Sequence, residues 1–236
     1  STFQGNGNMG SWNGVIPTST NAMISQCLIR DAINGISVNS TVASVSTNDI
    51  RNCNIGVLLS NCYNACVQGN KILYNEKGLK FTGNAWGFYF PANVLVDNDN
   101  NIYIESGSHP DFGCVADQGH NNIYNAAPYD IVSYYSGTIN ARYNWWGSPN
   151  GIPARVGNIN YSDALDYDPN PLSGILSEKH AIAEVSYKKS SAGDSENENG
   201  IKSFDEGMIL FSQKKNDEAY KLFQSVLSQY PGRLSG

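Results

Sequence analysis

Two aspartates and three asparagines stand together at Asp97, Asn98, Asp99, Asn100 and Asn101, and oxygen donors at this density suit calcium. Asp97 and Asp99 are therefore the candidate metal ligands. As a carboxylate pair they also meet the first requirement of glycoside cleavage, two carboxyls roughly 5 to 9 Å apart on one face. The run lacks the bidentate glutamate of a full calcium loop, so the expected cofactor state is none, with calcium at this run as the alternative. Residues 105–122 add His109, Asp111, Asp117 and His120, donors that suit a transition metal but stand at irregular spacing. Aromatic side chains offer a different chemistry, because their faces stack on sugar rings through apolar and quadrupolar contacts. Trp86, Phe88, Tyr89 and Phe90 form one group, and Tyr124, Tyr129, Tyr134 and Tyr135 another. Strand alternation turns Phe88 and Phe90 to one side and Tyr89 to the other; Trp86, Tyr89, Tyr124 and Tyr135 are the candidate glycan contacts. The five cysteines, Cys27, Cys53, Cys62, Cys66 and Cys114, are an odd number, so at least one is free or pairs outside the chain. Cys62 and Cys66 lack the second ligand pair of a zinc site, which leaves small buried thiols as the expected reading.

These residues sit in an unusual chain. Its 236 residues carry a net charge of −6, which argues against nucleic acid as a partner, since phosphates call for a basic stripe. No apolar run approaches the ~20 residues of a membrane-spanning helix. Only 15% of residues are charged, whereas 30 are Asn and 23 are Gly, the composition of a turn-rich fold. Twenty-seven of the Asn precede residue 172, while charged residues rise from 19 in the first 171 positions to 17 in the last 65. An Asn-rich body thus precedes a charged tail.

The body repeats. Residues 29–38 (IRDAINGISV), 50–59 (IRNCNIGVLL) and 72–81 (ILYNEKGLKF) align without gaps at spacings of 21 and 22, with further copies starting at Leu95 and Ile123. Two positions before each anchor stand Cys27, Asn48, Asn70, Asn93 and Asn121; five before stand Ile24, Val45, Val67 and Phe90. Six after come Gly35, Gly56, Gly78 and Asn101, residue types that accept a left-handed backbone, so a turn is expected there. Seven and nine after come Ile36/Val38, Val57/Leu59, Leu79/Phe81 and Ile102/Ile104, a period of two that marks a buried strand face. Such a unit is too short for a βαβ crossover of ~30 residues. Stacked in parallel it places aliphatic over aliphatic and Asn over Asn, which predicts an all-β solenoid: a right-handed parallel β-helix with rungs of about 21–28 residues, stable through neighbouring rungs.

These columns resemble the right-handed parallel β-helix repeat family of secreted bacterial proteins, pectate-lyase-like in architecture. Residues 10–15 (GSWNGV) are similar to its tryptophan-bearing rung, and residues 144–147 (NWWG) with residues 166–169 (DYDP) resemble its closing motif. The resemblance implies two activities. A lyase would use an acidic calcium cluster with a neighbouring Arg or Lys, and residues 95–122 contain neither. A hydrolase would use three Asp and a Gly-His-Gly segment, of which Gly119 and His120 match the first two residues. The catalytic candidates are thus Asp97, Asp99 and His120, without a complete set.

The tail is predicted to be helical. Domain boundaries are placed at 1–172 for the β-helix, 173–191 for a helical segment bearing His180, 192–200 for an acidic linker, and 201–236 for a helix pair. Gly207, Ala219, Phe223 and Pro231 stand at the offsets of 12, 4 and 8 seen in a tetratricopeptide unit, and the pair resembles one such unit cut from a longer array. The expected function is that of a secreted or cell-surface, non-enzymatic scaffold, adhesin or glycan-binding module. The alternatives are a polysaccharide lyase or glycoside hydrolase, and a self-assembling extracellular structural protein that associates through its solenoid ends or its tail.

Overall fold

The computed structural model describes residues 1–19, 21–39, 43–63, 65–87, 90–116 and 118–171. The helical segment, linker and tetratricopeptide-like pair expected at 173–236, together with Tyr89 and Asp117, lie outside the described residues. Strand β1 (Thr2–Gln4) precedes a first full rung of β2 (Ala22–Ser25), β3 (Leu28–Arg30) and β4 (Asn34–Asn39). The pattern recurs as β5 (Ala43–Ser46), β6 (Asp49–Arg51) and β7 (Ile55–Ser60), then as β8 (Cys66–Gln68), β9 (Lys71–Leu73) and β10 (Lys77–Thr82). Later rungs carry β11 (Val94–Val96) with β12 (Asn100–Ile104) and β13 (Asn122–Tyr124) with β14 (Tyr129–Ser133). The described residues end through β15 (Ile139–Asn140), β16 (Arg155–Val156) and β17 (Ile159–Asn160).

Like strands stack on like strands. The sheets run β1-β3-β6-β9-β11-β13, β4-β7-β10-β12-β14-β16, β2-β5-β8 and β15-β17, and every pairing is parallel. The result is a parallel β-solenoid of about seven turns. Register reproduces the sequence columns: Ile29, Ile50, Ile72, Leu95 and Ile123 lie one above another, as do Ile36, Val57, Leu79, Ile102 and Ile131. All ten are fully buried. Phe81, Phe90 and Phe112 join this core with ring centroids 5.3–5.6 Å apart, Phe81 meeting the other two edge to face and Phe90 tilted at 41° to Phe112.

The glycine column behaves differently from expectation. Gly35, Gly56 and Gly78 lie inside β4, β7 and β10, without the left-handed backbone that the repeat pattern suggested. Their requirement is closeness: a Cβ on Gly35 or Gly56 would stand 2.6 Å from the carbonyl oxygen of the next glycine in the stack. Left-handed corners fall instead at two other columns. One holds Gln26, Thr47, Gly69, Ala92, His120 and Tyr143, at φ from 48° to 61°; the other holds Asp31, Asn52, Tyr74, Asp97 and Asn125, at φ from 53° to 64°.

Ladder residues follow every corner of the first column and the Asn52, Tyr74 and Asp97 corners of the second. After the first come Cys27, Asn48, Asn70, Asn93, Asn121 and Asn144. The backbone N–H of each donates to Oδ1 of the next at 2.8–3.0 Å, and Nδ2 of Asn48, Asn70, Asn93 and Asn121 donates to that same oxygen. Asn48, Asn70, Asn93 and Asn121, the expected structural ladder, are all buried, and Asn144 of the Asn-Trp-Trp-Gly motif completes the row. After the second corner come Cys53, Asn75 and Asn98, bonded in the same way at 2.8–2.9 Å. A buried amide bonded to rungs on both sides meets the strong demand of interior polar groups for partners and offsets the cost of a left-handed non-glycine corner, about 1–2 kcal/mol each.

The Asn-Trp-Trp-Gly and Asp-Tyr-Asp-Pro segments meet over the last strand of the first sheet. Trp145 bridges to Asn122 of β13, Trp146 is buried, and Asn122 Nδ2 donates to Asp168 Oδ1 at 2.6 Å. Asn170 Nδ2 donates to the His120 carbonyl at 2.7 Å. These contacts cover an edge that would otherwise invite strand addition.

Candidate functional site

Four rings from four successive rungs form a row on the outside of the solenoid. Tyr63 meets Trp86 at 5.5 Å and 63°, Trp86 stacks on His109 at 6.0 Å and 9°, and His109 stacks on Tyr135 at 5.4 Å and 23°. Backbone pairing fixes the row: Tyr63 and Trp86 are bridged, the Trp86 N–H donates to the Cys62 carbonyl, and the His109 N–H donates to the Ala85 carbonyl, each at 3.1 Å. Parallel strands repeat at ~4.8 Å, so centroid distances of 6.0 and 5.4 Å set the stacked rings Trp86, His109 and Tyr135 as offset steps, with Tyr63 edge-on at the end of the row. Tyr63 is half exposed, at 49%, and Tyr135 packs its inner side on the core.

The sequence candidates divide on this geometry. Trp86 and Tyr135 belong to one row, joined by Tyr63 and by His109, which sequence reading had placed among metal donors. Tyr124 lies elsewhere, on β13, where burial first and then the Asp168 and Asp97 carboxylates raise its phenol above the ordinary range.

Asp97 and His120 are corner residues, at φ 57° and 48°. They occupy opposite ends of the strand stack that contains β11 and β13, five positions apart in register, roughly 15 Å along the strand. Asp99 follows on the Asp97 side, its N–H donating to the Asn75 carbonyl at 2.9 Å. The structure therefore brings Asp97 and Asp99 near one corner and leaves His120 at the other. Asp111 accepts from the Gly113 N–H and from Asn140 Nδ2. Among the described residues no three His, Cys, Asp or Glu side chains gather as a metal site.

A second surface group was missed by sequence reading. Outward positions of β10 and β12 place Lys77 and Lys80 over the Tyr103 ring at 5.3 and 5.9 Å, with Tyr134, just after β14, edge-on at 5.8 Å. Lys80 pairs with Glu105 at 3.0 Å, whose carboxyl is held low first by the Thr82 hydroxyl and then by Lys80. Register is the missing signal, because Lys80 and Tyr103 are 23 residues apart in sequence and adjacent across the sheet.

The five cysteines are free thiols. Cys27 and Cys53 head the two ladders, and burial pushes the Cys53 and Cys62 thiols up to about 11. Among the described residues no helix is long and apolar enough to cross a membrane. Compared with protein-family models, curated protein sequences and solved structures, the chain finds no match. Its class is that of its fold, an all-parallel β-solenoid with internal asparagine ladders.

Proposed function

We propose that this chain is a secreted or cell-surface, non-enzymatic β-helix that serves as a scaffold or adhesin and binds glycan along the Tyr63–Trp86–His109–Tyr135 row. The row itself carries the reading. A rigid solenoid sets one aromatic ring per rung, and a polysaccharide is the natural partner of a periodic strip of half-covered rings, each sugar offering C–H groups to a ring face and hydroxyls to its polar edge. The roughly 15 Å along the strand between the Asp97 and His120 corners counts against a hydrolase that would use both at one substrate position. A right-handed coil follows the hand that parallel strand connections prefer. The pectate-lyase-like kinship and the helical tail belong to the same reading.

The test is a panel of neutral and acidic oligosaccharides titrated against the whole chain, followed by tryptophan fluorescence and calorimetry. Binding that falls at least tenfold in both Trp86→Ala and Tyr63→Ala, with the fold intact by circular dichroism, supports the row. No binding across the panel, or binding indifferent to both substitutions, removes the glycan assignment. Release of unsaturated, ultraviolet-absorbing product, abolished by Asp97→Ala, would replace it with the lyase reading.

A further inference from the structure

Asp130, on β14, continues the stack Gly35, Gly56, Gly78 and Asn101, where three rungs carry no side chain at all. Its carboxylate is buried and takes no part in the aromatic row. Oδ1 accepts from the Ala126 N–H and from Asn101 Nδ2, each at 3.3 Å, and Oδ2 accepts from the Ala154 N–H at 3.0 Å. These facing groups come from the turn before β14, from β12 and from the segment entering β16, and none is charged.

Asn101 ties this carboxylate to the second ladder. Asn75 Nδ2 donates to Asn98 Oδ1 at 2.9 Å, Asn98 Nδ2 donates to Asn101 Oδ1 at 2.8 Å, and Asn101 Nδ2 donates both to Asp130 Oδ1 at 3.3 Å and to the Tyr124 carbonyl at 2.9 Å. Every amide points its NH2 end toward Asp130. Aligned amide dipoles leave a partial positive charge at that end, as peptide dipoles do at a helix N-terminus, and hydrogen bonds in such a chain polarise one another. The first ladder has the same polarity through Asn121, but its final amide, Asn144, donates to the Phe112 and Arg142 carbonyls. It ends without a charge.

We propose that the second asparagine ladder is a polarised array whose charged terminus is Asp130, which makes the fastening of β14 and β16 onto β12 proton-linked. Burial raises the Asp130 carboxyl above the ordinary range, while the three N–H donors pull it back. A folded-state value above the unfolded one means that the folded chain keeps a proton the unfolded chain has released. The associated stability is present on the acid side and is lost as pH rises through the folded value.

The experiment is a carbon NMR titration of the Asp130 carboxyl in the whole chain, with the side-chain NH2 resonances of the asparagines followed in parallel. Asn98 and Asn101 should titrate with the Asp130 midpoint, while Asn121, on the same rung but in the first ladder, should not. Asn75→Ala should raise the midpoint by about 0.2 to 0.7 pH unit, the shift a helix-end dipole gives, and Asn93→Ala should leave it in place. An unmoved midpoint in Asn75→Ala, or equal shifts in both variants, overturns the proposal. If Asn75→Ala does not fold, the amide titration of the unsubstituted chain decides alone, and an Asn98 resonance indifferent to Asp130 overturns it.

Discussion

Asn70 uses its side chain completely: Oδ1 accepts from the Asn48 N–H and from Asn48 Nδ2, while its own Nδ2 donates to the Val45 and Gln68 carbonyls and to Asn93 Oδ1. Asn70→Ala strands partners on three rungs in a site with no water access. An unsatisfied buried group costs about 1–3 kcal/mol, so the substitution should lower unfolding free energy by at least that amount in a urea titration; an unchanged midpoint would refute the ladder's energetic role. The cysteines make a complementary point. At pH 8 a thiol raised to about 11 is thiolate in only about one molecule in a thousand. Iodoacetamide at that pH should leave Cys53 and Cys62 unmodified in the folded protein and alkylate all five cysteines in guanidinium, as read by peptide mass spectrometry. Prompt labelling of Cys53 in the native state would show that its rung opens.

Glycines at two columns of adjacent rungs answer to different constraints. Gly56, inside β7, has the Gly78 carbonyl oxygen and the Ile72 methyl each 2.6 Å from where a Cβ would sit, so Gly56→Ala forces the stack apart, an overpacking cost of about 1–3 kcal/mol. Gly69 is a left-handed corner with open space around it, the nearest atom being 3.6 Å away, and other rungs fill its column with Gln26, Thr47, Ala92 and His120. Gly69→Ala should therefore cost about 1 kcal/mol. Thermal unfolding of the two variants should rank them in this order, and the reverse order would mean that backbone conformation outweighs close approach. The repeat alignment singled out the Gly56 column but read it as the left-handed turn, and it did not single out the Gly69 column, since a Gly needed for closeness and a Gly needed for φ are the same letter. The second ladder escaped notice for a related reason: Asn75 and Asn98 are only two Asn, with Cys53 above them, and two matches do not make a column. That Trp86, His109 and Tyr135 share a row was not legible, because residues 83–92 and 105–122 lengthen their rungs and break the alignment there.

At the scale of the molecule, each rung contacts mainly its neighbours, so stability is approximately a sum of rung and interface contributions. The anchor column exposes this directly, since Ile29, Ile50 and Ile72 are interchangeable in chemistry and position. The fold was readable from sequence because a solenoid writes the same constraint many times, whereas a surface site is written once. Removing residues 50–71 joins Asp49 to Ile72 and takes out one complete turn. Asn48 then faces Asn93, Gly35 faces Gly78 and Val38 faces Phe81, so both the first ladder and the inner face regain register. The shortened chain should fold with the β-rich circular dichroism of the parent, and its urea m-value should fall by roughly one seventh, in proportion to the surface one of about seven turns buries. Removing residues 50–60 instead deletes about half a turn and sets corner against strand, and that variant should not fold cooperatively. Equal damage from both deletions would show that the rungs are not modular units and that the solenoid depends on contacts spanning several turns.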